Sequence, residues 1–456
     1  MMAFAAALVA SVSFTAPVAV GPAASSTQVA RVLSMQPDPG EGAWLQIAGP
    51  EGERLVRINE DGRVTPVELP PKLRGEELEI TSLRNGWTVA IDRYWPGGLQ
   101  EQLACQPVGS GSSASSLTLR PRARIAAGTR CSELVVAQLS PSGRWSRVQS
   151  MPHSFGRESQ ASEPVKTGGR IELAWTEAEQ FEPIRVAVAR PGHPFGRDHV
   201  ARSVLRREAN RVLFPVLHGA LYLRGEYAPN PPFGTVRFWV DRQLYGDGTL
   251  GPPHVVRSRV LREPGSSLEG ANGSELWVYG GVYQELVFAR RSLWAPTFEA
   301  PRVIVNESDG GEQFTQSQNH RTLISLDTPV TGGKSRISAV EIFPNGRLGP
   351  LHGVELQPRN TEHEIGWASA INNAGSMLIA TSGGESAGQI WLHSSGAHCP
   401  GFHGRVLLTA AGKGELAVSA GRKGVFHVAW IDALNQAQTT AVRVGCSAEL
   451  HASASR

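Results

Sequence analysis

Three histidines, His393, His398 and His403, fall within eleven residues and form the densest group of potential metal ligands in the chain. Neutral imidazole suits zinc or copper. Their spacing matches no recognised metal site, and a solvated turn with incidental histidines is the plainer reading. Glu362-His363-Glu364 sets two carboxyls beside an imidazole, the residue types of general acid–base work. A glycosidase needs two carboxyls about 5–10 Å apart across a bound sugar. On a strand Glu362 and Glu364 share one face and His363 takes the other, but the segment lies between repeats and reads as a polar loop. Asp241 and Asp247-Gly248 offer oxygen ligands of the kind calcium takes, without the Asp-x-Asp-x-Asp-Gly loop, and read as an Asp-Gly hairpin turn. Gly332-Gly333-Lys334-Ser335 resembles the tail of a phosphate loop but lacks its upstream glycine and strand-to-helix setting. No Gly-x-Ser-x-Gly elbow is present. Catalytic and ligand-binding residues are therefore unassigned by motif, and no cofactor is expected.

Ten of the eleven tryptophans fall into two sets. Trp175 and Trp430 end equivalent apolar runs, and Trp44, Trp87 and Trp277 sit within such runs, a placement that predicts packing. Trp95, Trp145, Trp294, Trp367 and Trp391 are less regular and are the aromatic candidates for stacking on a sugar.

The cysteines and the N-terminus bear on location. Four cysteines, Cys105, Cys131, Cys399 and Cys446, allow three pairings, and proximity favours Cys105–Cys131 with Cys399–Cys446. No Cys-x-x-Cys is present, so zinc ribbons and thioredoxin-type sites are not indicated. Residues 3–24 are uncharged and rich in Ala and Val, and they loosely fit a secretory signal lacking its basic start. The expectation is a signal peptide over 1–24, or an uncleaved anchor that would give residues 3–24 as the sole membrane contact, followed by one domain over 25–456. A secreted or cell-surface protein is implied.

The elements that must position any site are legible as repeats. Gly and Pro, 50 and 31 of 456 residues, disfavour long helices. One apolar strand recurs as GAWLQIAG from Gly42, GWTVAIDRY from Gly86, GRIELAWTE from Gly169, GALYLRGEY from Gly219 and SELWVYGG from Ser274. It recurs again as RTLISLD from Arg321, SMLIATS from Ser376 and GVFHVAW from Gly424. A second strand follows after a hairpin, for example RVAVAR at Arg185 and RISAVEI at Arg336. A third element is a Gly-centred turn, a large apolar residue and a short strand, as at Gly62, Gly143, Gly192, Gly248 and Gly346, with looser copies around Phe298 and Phe402. Alternating apolar and polar positions mark half-buried strands. A unit of about 40–50 residues with about four short strands predicts a propeller blade. One interval exceeds 80 residues and holds the Ser/Gly-rich insert at 109–116. The expected fold is all-β, a propeller of about eight four-stranded blades, with seven as the alternative. The third element is found only seven times, so a spare strand at Thr27–Leu33 is expected to complete the last blade.

These blades resemble those of secreted bacterial propellers of the actinobacterial type, related distantly to the sialidase and Kelch superfamilies. The segment Leu276-Trp277-Val278-Tyr279-Gly280-Gly281 through Trp294 is the Kelch-like part. Asp-box turns are absent, and Trp430-Ile431-Asp432 and Trp239-Val240-Asp241 miss the Trp-Asp blade ending by one residue. The resemblance implies architecture and no catalytic motif.

A net charge of +3 with scattered arginines gives no case for nucleic acid. The leading expectation is a monomeric, non-enzymatic scaffold that binds an extracellular ligand, a glycan or a protein. The alternative is an extracellular carbohydrate-active hydrolase or lyase with residues contributed one per blade near the channel mouth. Converging ionisable groups would favour the enzyme, and their absence the binder.

Overall fold

The computed structural model describes residues 7–20, 30–38, 42–49, 52–74, 78–83, 86–94, 133–154, 161–176, 183–201, 212–214, 216–217, 219–227, 237–258, 266–270, 274–280, 285–292, 295–306, 312–330, 334–358, 366–382, 388–399, 401–402, 406–409, 412, 415–421 and 424–449. The fold is an all-β propeller of eight antiparallel blades, each a sheet of four strands, two of which have one strand split in two. Eight blades replace the seven-blade alternative.

Two compact units make up the chain. Unit 2, Leu69–Leu261 with Trp294–Thr297, holds three blades. Blade 2 is Glu79–Ser82, Thr88–Tyr94, Glu133–Leu139 and Gln149–Ser150; blade 3 is Val165–Thr167, Arg170–Thr176, Ile184–Ala189 and His199–Val200. Blade 4 opens on the split strand Val212–Leu213 and Val216–Leu217, followed by Ala220–Tyr227, Arg237–Gln243 and His254–Ser258. Unit 1, Met1–Glu68 with Arg262–Leu293 and Phe298–Arg456, holds the other five. Blade 1 is Arg31–Asp38, Gly42–Gly49, Gly52–Asn59 and Val64–Val67; blade 5 is Ser266–Glu269, Ser274–Gly280, Leu286–Ser292 and Arg302–Val305. Blade 6 is Gln313–Gln316, Thr322–Val330, Lys334–Ile342 and Leu348–Pro358; blade 7 is Gly366–Ile371, Met377–Ser382, Ile390–Ser395 and Val406–Thr409. Blade 8 is Ala417–Ala420, Val425–Ile431 and Ala437–Glu449, completed by Ala7–Phe14 and Val18–Val20.

The three repeated sequence elements are thus the second, third and fourth strands of each blade. The first strand carries no equally clear pattern. The Gly-centred turns join the third strand to the fourth, and Gly62, Gly143, Gly192, Gly248 and Gly346 all have φ between +77° and +82°, a region costly for other residues. Neighbouring blades bury apolar faces against each other. Leu83, Val89 and Val136 of blade 2 meet Leu173 and Trp175 of blade 3, and Leu378 and Leu392 of blade 7 meet Phe426, Val428 and Trp430 of blade 8. Trp175 and Trp430 are 0% and 2% exposed, as their equivalent placement predicts.

The completing strand of blade 8 differs from expectation. Thr27–Leu33 does not supply it, because Arg31–Asp38 is already the first strand of blade 1, paired with Gly42–Gly49. Ala7–Phe14 pairs antiparallel with Ala437–Glu449, Phe14 opposite Val442, and Val18–Val20 pairs with Ala437–Thr439 of the same long strand. In four other blades the residue after the large apolar one donates its N–H to a third-strand carbonyl: Ser146 to Gln138 (2.7 Å), Gly196 to Val188 (2.9 Å), Gly251 to Gln243 (2.8 Å) and Glu299 to Arg290 (2.7 Å). Thr15, following Phe14, donates to Ala441 O at 3.0 Å, the same bond in blade 8. The sequence carries the match: Phe14-Thr15-Ala16-Pro17 repeats Phe298-Glu299-Ala300-Pro301 of blade 5. Val20 is buried against Ile431 and Ala437.

Cys399 and Cys446 form a disulfide between the turn after the third strand of blade 7 and the long strand of blade 8. The bond closes a separation of 47 residues, worth about 4 kcal/mol in the chain-entropy model. Cys105 and Cys131 lie outside the described residues.

Candidate functional site

The ends of the first strands of blades 6, 7, 8 and 1 converge on a pocket of about 150 Å³ within unit 1. In three of these blades the same hairpin follows. Ser317 N–H donates to Arg321 O (2.9 Å), Asn372 N–H to Ser376 O (3.0 Å) and Gly421 N–H to Val425 O (2.8 Å). The fourth residue of each hairpin has positive φ: His320 at 63°, Gly375 at 90° and Gly424 at 77°. Ser317, Asn372 and Gly421 thus hold equivalent positions on the pocket wall, and Thr315, Ala370 and Ser419 hold the positions two residues earlier. Blades 6 and 7 are tied at the rim, where Asn319 N–H and Nδ2 donate to Asn373 Oδ1 (3.1 Å) and O (2.7 Å).

The wall is made of hydroxyls, amides and aliphatic groups, the last from Met35, Pro37, Ile371 and Val418. Among the described residues its only ionisable side chain is Asp38, buried and accepting from Arg57 Nε at 2.7 Å. Three wall residues carry buried polar atoms with no hydrogen-bond partner: Thr315 Oγ1, Asn372 Nδ2 and Ser419 Oγ. Asn372 and Ser419 are 4% and 3% exposed. The Asn372 amide is fixed in orientation, since its Oδ1 accepts from the N–H groups of Ala374 (3.0 Å) and Ser376 (2.9 Å). Behind the wall His427, cross-strand partner of Ser419, is fully buried with both ring nitrogens unpartnered. Burial lowers its pKa from 6.5 to about 4, so the ring is neutral at pH 7.

The residues singled out from sequence lie elsewhere. His393 is buried within its strand, its Nε2 3.2 Å from Thr381 Oγ1, while His398 sits in an exposed turn; His403 lies outside the described residues. Among the described residues no three His, Cys, Asp or Glu side chains are placed to hold a metal ion. Glu362, His363 and Glu364 are also outside them, as are Gly332 and Gly333 and the candidate stacking residues Trp95 and Trp294. Trp145, Trp367 and Trp391 are half-buried, and none lines the pocket. Asp241 is committed to an ion pair with Arg224.

Ionisable groups with opposite pKa shifts meet in unit 2. Burial raises the Glu172 carboxyl, opposed by Arg170 and reinforced by Asp247. Hydrogen bonds from Thr249 Oγ1 and N–H, at 2.6 and 2.9 Å, lower Asp247. Asp247 lies fully open to solvent in its Asp-Gly turn, the role its sequence predicts.

Sequence reasoning did not find the pocket residues, because they occupy the one strand of each blade without a strong pattern. The signal that was present is the recurring hairpin Ser317-Gln-Asn-His320, Asn372-Asn-Ala-Gly375 and Gly421-Arg-Lys-Gly424.

No protein-family model and no curated protein matches the chain. Solved structures do. A protein of unknown function from Dyadobacter fermentans is 11% identical over 95% of this chain and 99% of its own, with a TM-score of 0.39. Prolyl oligopeptidase B from Galerina marginata is 10% identical with a TM-score of 0.48, covering 88% of this chain and 55% of its own. An ulvan lyase from a new family of polysaccharide lyases is 12% identical over 92% and 95%, with a TM-score of 0.37. The chain spans about half the length of the peptidase. These likenesses are of fold alone, and the resemblance to sialidase and Kelch proteins likewise extends only to the propeller. Among the described residues no helix is long and apolar enough to cross a membrane, and a disulfide is a bond that persists in oxidising compartments.

Proposed function

We propose that the protein is a non-enzymatic binding propeller, acting as a monomer outside the cytoplasm, that holds its ligand at the first-strand ends of blades 6, 7, 8 and 1. The observation that carries this reading is the wall chemistry: among the described residues its single ionisable side chain, Asp38, is already engaged by Arg57. Glycoside hydrolysis needs an acid and a base at the scissile bond, and proton abstraction by a lyase needs a base. Hydroxyls and amides supply neither near neutral pH, whereas they are the groups that hold a polar ligand in a concave site.

The competing reading is a carbohydrate-active hydrolase or lyase, and the pair that favours it is Glu172 with Asp247, shifted in opposite directions. One experiment separates the two. The full chain is incubated with neutral and acidic polysaccharides, and both retention of protein and release of reducing or unsaturated ends are recorded. Retention without release is the expected result. Saturable release abolished by Glu172→Gln or Asp247→Asn would establish the enzyme instead.

A further inference from the structure

We infer that the pocket is specific for an uncharged, polyhydroxylated ligand of about one sugar ring, and that Thr315, Asn372 and Ser419 are its polar contacts. This deepens the binding-propeller reading and rests on it. A buried polar atom without a partner costs about as much as a lost hydrogen bond, so such atoms are few in folded proteins and call for an explanation. Here three belong to one pocket wall, from three successive blades and within two positions of the same hairpin. Asn372 Nδ2 is a donor, and the two hydroxyls are donors or acceptors. An alcohol oxygen with its proton satisfies either kind.

Charge argues against the other classes. An anionic ligand would meet the Asp38 carboxylate with no free cation among the described residues of the wall, since Arg57 is engaged by Asp38. A cation would find that same carboxylate occupied and an amide presenting its nitrogen. A pocket of about 150 Å³ admits something on the order of one six-membered ring. The aliphatic groups of Met35, Ile371 and Val418 suit its C–H faces.

The test is saturation-transfer NMR on the full chain with glucose, galactose, mannose and myo-inositol, beside glucuronate and glucosamine as charged counterparts. At least one neutral probe should bind, its charged counterparts at least tenfold more weakly. Thr315→Val and Ser419→Ala should each weaken it about tenfold, the usual effect of removing one hydrogen bond to a ligand. Asn372→Asp, which keeps the two turn bonds at Oδ1 but replaces the donor, should abolish it. Melting curves of all three variants establish that they fold. Preferential binding of a charged probe, or neutral binding indifferent to the three substitutions, would overturn this inference and leave the binding propeller standing. Retention on a polysaccharide without binding of any monomeric probe would do the same. Absence of both would remove the two readings together.

A second inference rests on a separate observation. The bond from Thr15 to Ala441, the burial of Val20 and the Phe-x-Ala-Pro match to blade 5 assign Phe14–Val20 to the folded propeller. Any removal of a leader should therefore end upstream of Phe14. Intact mass of the protein recovered from its native host tests this. A mature chain retaining Phe14–Val20, and a lower melting temperature for residues 25–456 alone, are expected. A mature N-terminus at or near residue 25, with unchanged melting, would overturn the assignment.

Discussion

Blades 4 and 5 each bury a charged pair matched across two strands, whereas the polar groups that blades 6 to 8 bury around the pocket are left without such a match. In blade 4 Arg224 Nε and Nη2 donate to both oxygens of Asp241 at 2.6 and 2.8 Å. In blade 5 Arg291 Nε donates to Glu275 at 2.7 Å, and both side chains are fully buried. Each pair joins directly opposed residues on the second and third strands. Blade 6 has a buried carboxylate of the same kind, Glu341, paired with Arg321, but around the pocket of blades 6 to 8 Thr315, Asn372, Ser419 and His427 are neutral and each carries an unpartnered atom. The contrast follows from desolvation. An unpaired buried charge costs several kcal/mol, so charge enters a blade only with its counterion. A neutral hydroxyl or amide costs about 1–3 kcal/mol, which a fold of this size tolerates where a ligand can recover it.

Breaking a matched pair should have the largest effect. Glu275→Ala leaves Arg291 buried without its main partner and is expected to cost about 3–5 kcal/mol in denaturant unfolding. A loss below about 1 kcal/mol would mean that the pair is no more matched than the pocket groups. The next effect is pH-dependent. His427 has a folded pKa below its unfolded value, so the unfolded chain takes up the proton first as pH falls. Its stabilising contribution is complete above about pH 6.5 and is lost progressively towards pH 4, amounting to roughly 3 kcal/mol in all. Unfolding measured between pH 7 and pH 4.5 should show a shallower slope for His427→Phe than for the wild type. Parallel slopes would sink the assignment. The smallest effect is the sharpest discriminator. Ser419→Ala and Thr315→Val delete groups without partners, so stability should be unchanged or raised by up to about 1 kcal/mol while binding falls. Destabilisation beyond about 1 kcal/mol would show that these groups serve the fold.

The second strands of the blades were legible because they are long, largely apolar runs opening after a glycine or polar turn, as in Gly42–Gly49 and Arg170–Thr176. The fourth were legible through the glycine that their turn requires. The first strands were not. Gln313–Gln316 and Ala417–Ala420 have four residues each, QFTQ and AVSA, too short and too rich in small polar groups for a period-two pattern to stand out. The pocket is built from these strands, so the part of the blade that matters most for binding carries the weakest signal. Its residues are also dispersed, with Asp38 and Ser419 some 380 positions apart, which defeats any search for local motifs. The histidine cluster shows the converse limit of local spacing. His393 and His398 are near in sequence, but strand and turn put one inside the blade and the other in solvent. The cysteine pair was recoverable because Cys399–Cys446 spans about one repeat, and so joins adjacent blades.

The origin of the outer strand of blade 8 has a consequence in time. The hydroxyl contact between Thr15 and Thr440 spans 425 residues, so this strand pairs with one synthesised some 425 residues after it. At about 5–20 residues per second, the N-terminal strand waits roughly 20–80 s for its partner. Over that interval the other seven blades can form from sequence-local hairpins, whereas blade 8 must close by a search across the whole chain. An unpaired strand edge is a template for wrong pairing, so blade 8 is the stage at which a crowded or truncated synthesis goes astray, and the Cys399–Cys446 bond, made within the same blade pair, becomes the lock set after that stage is passed.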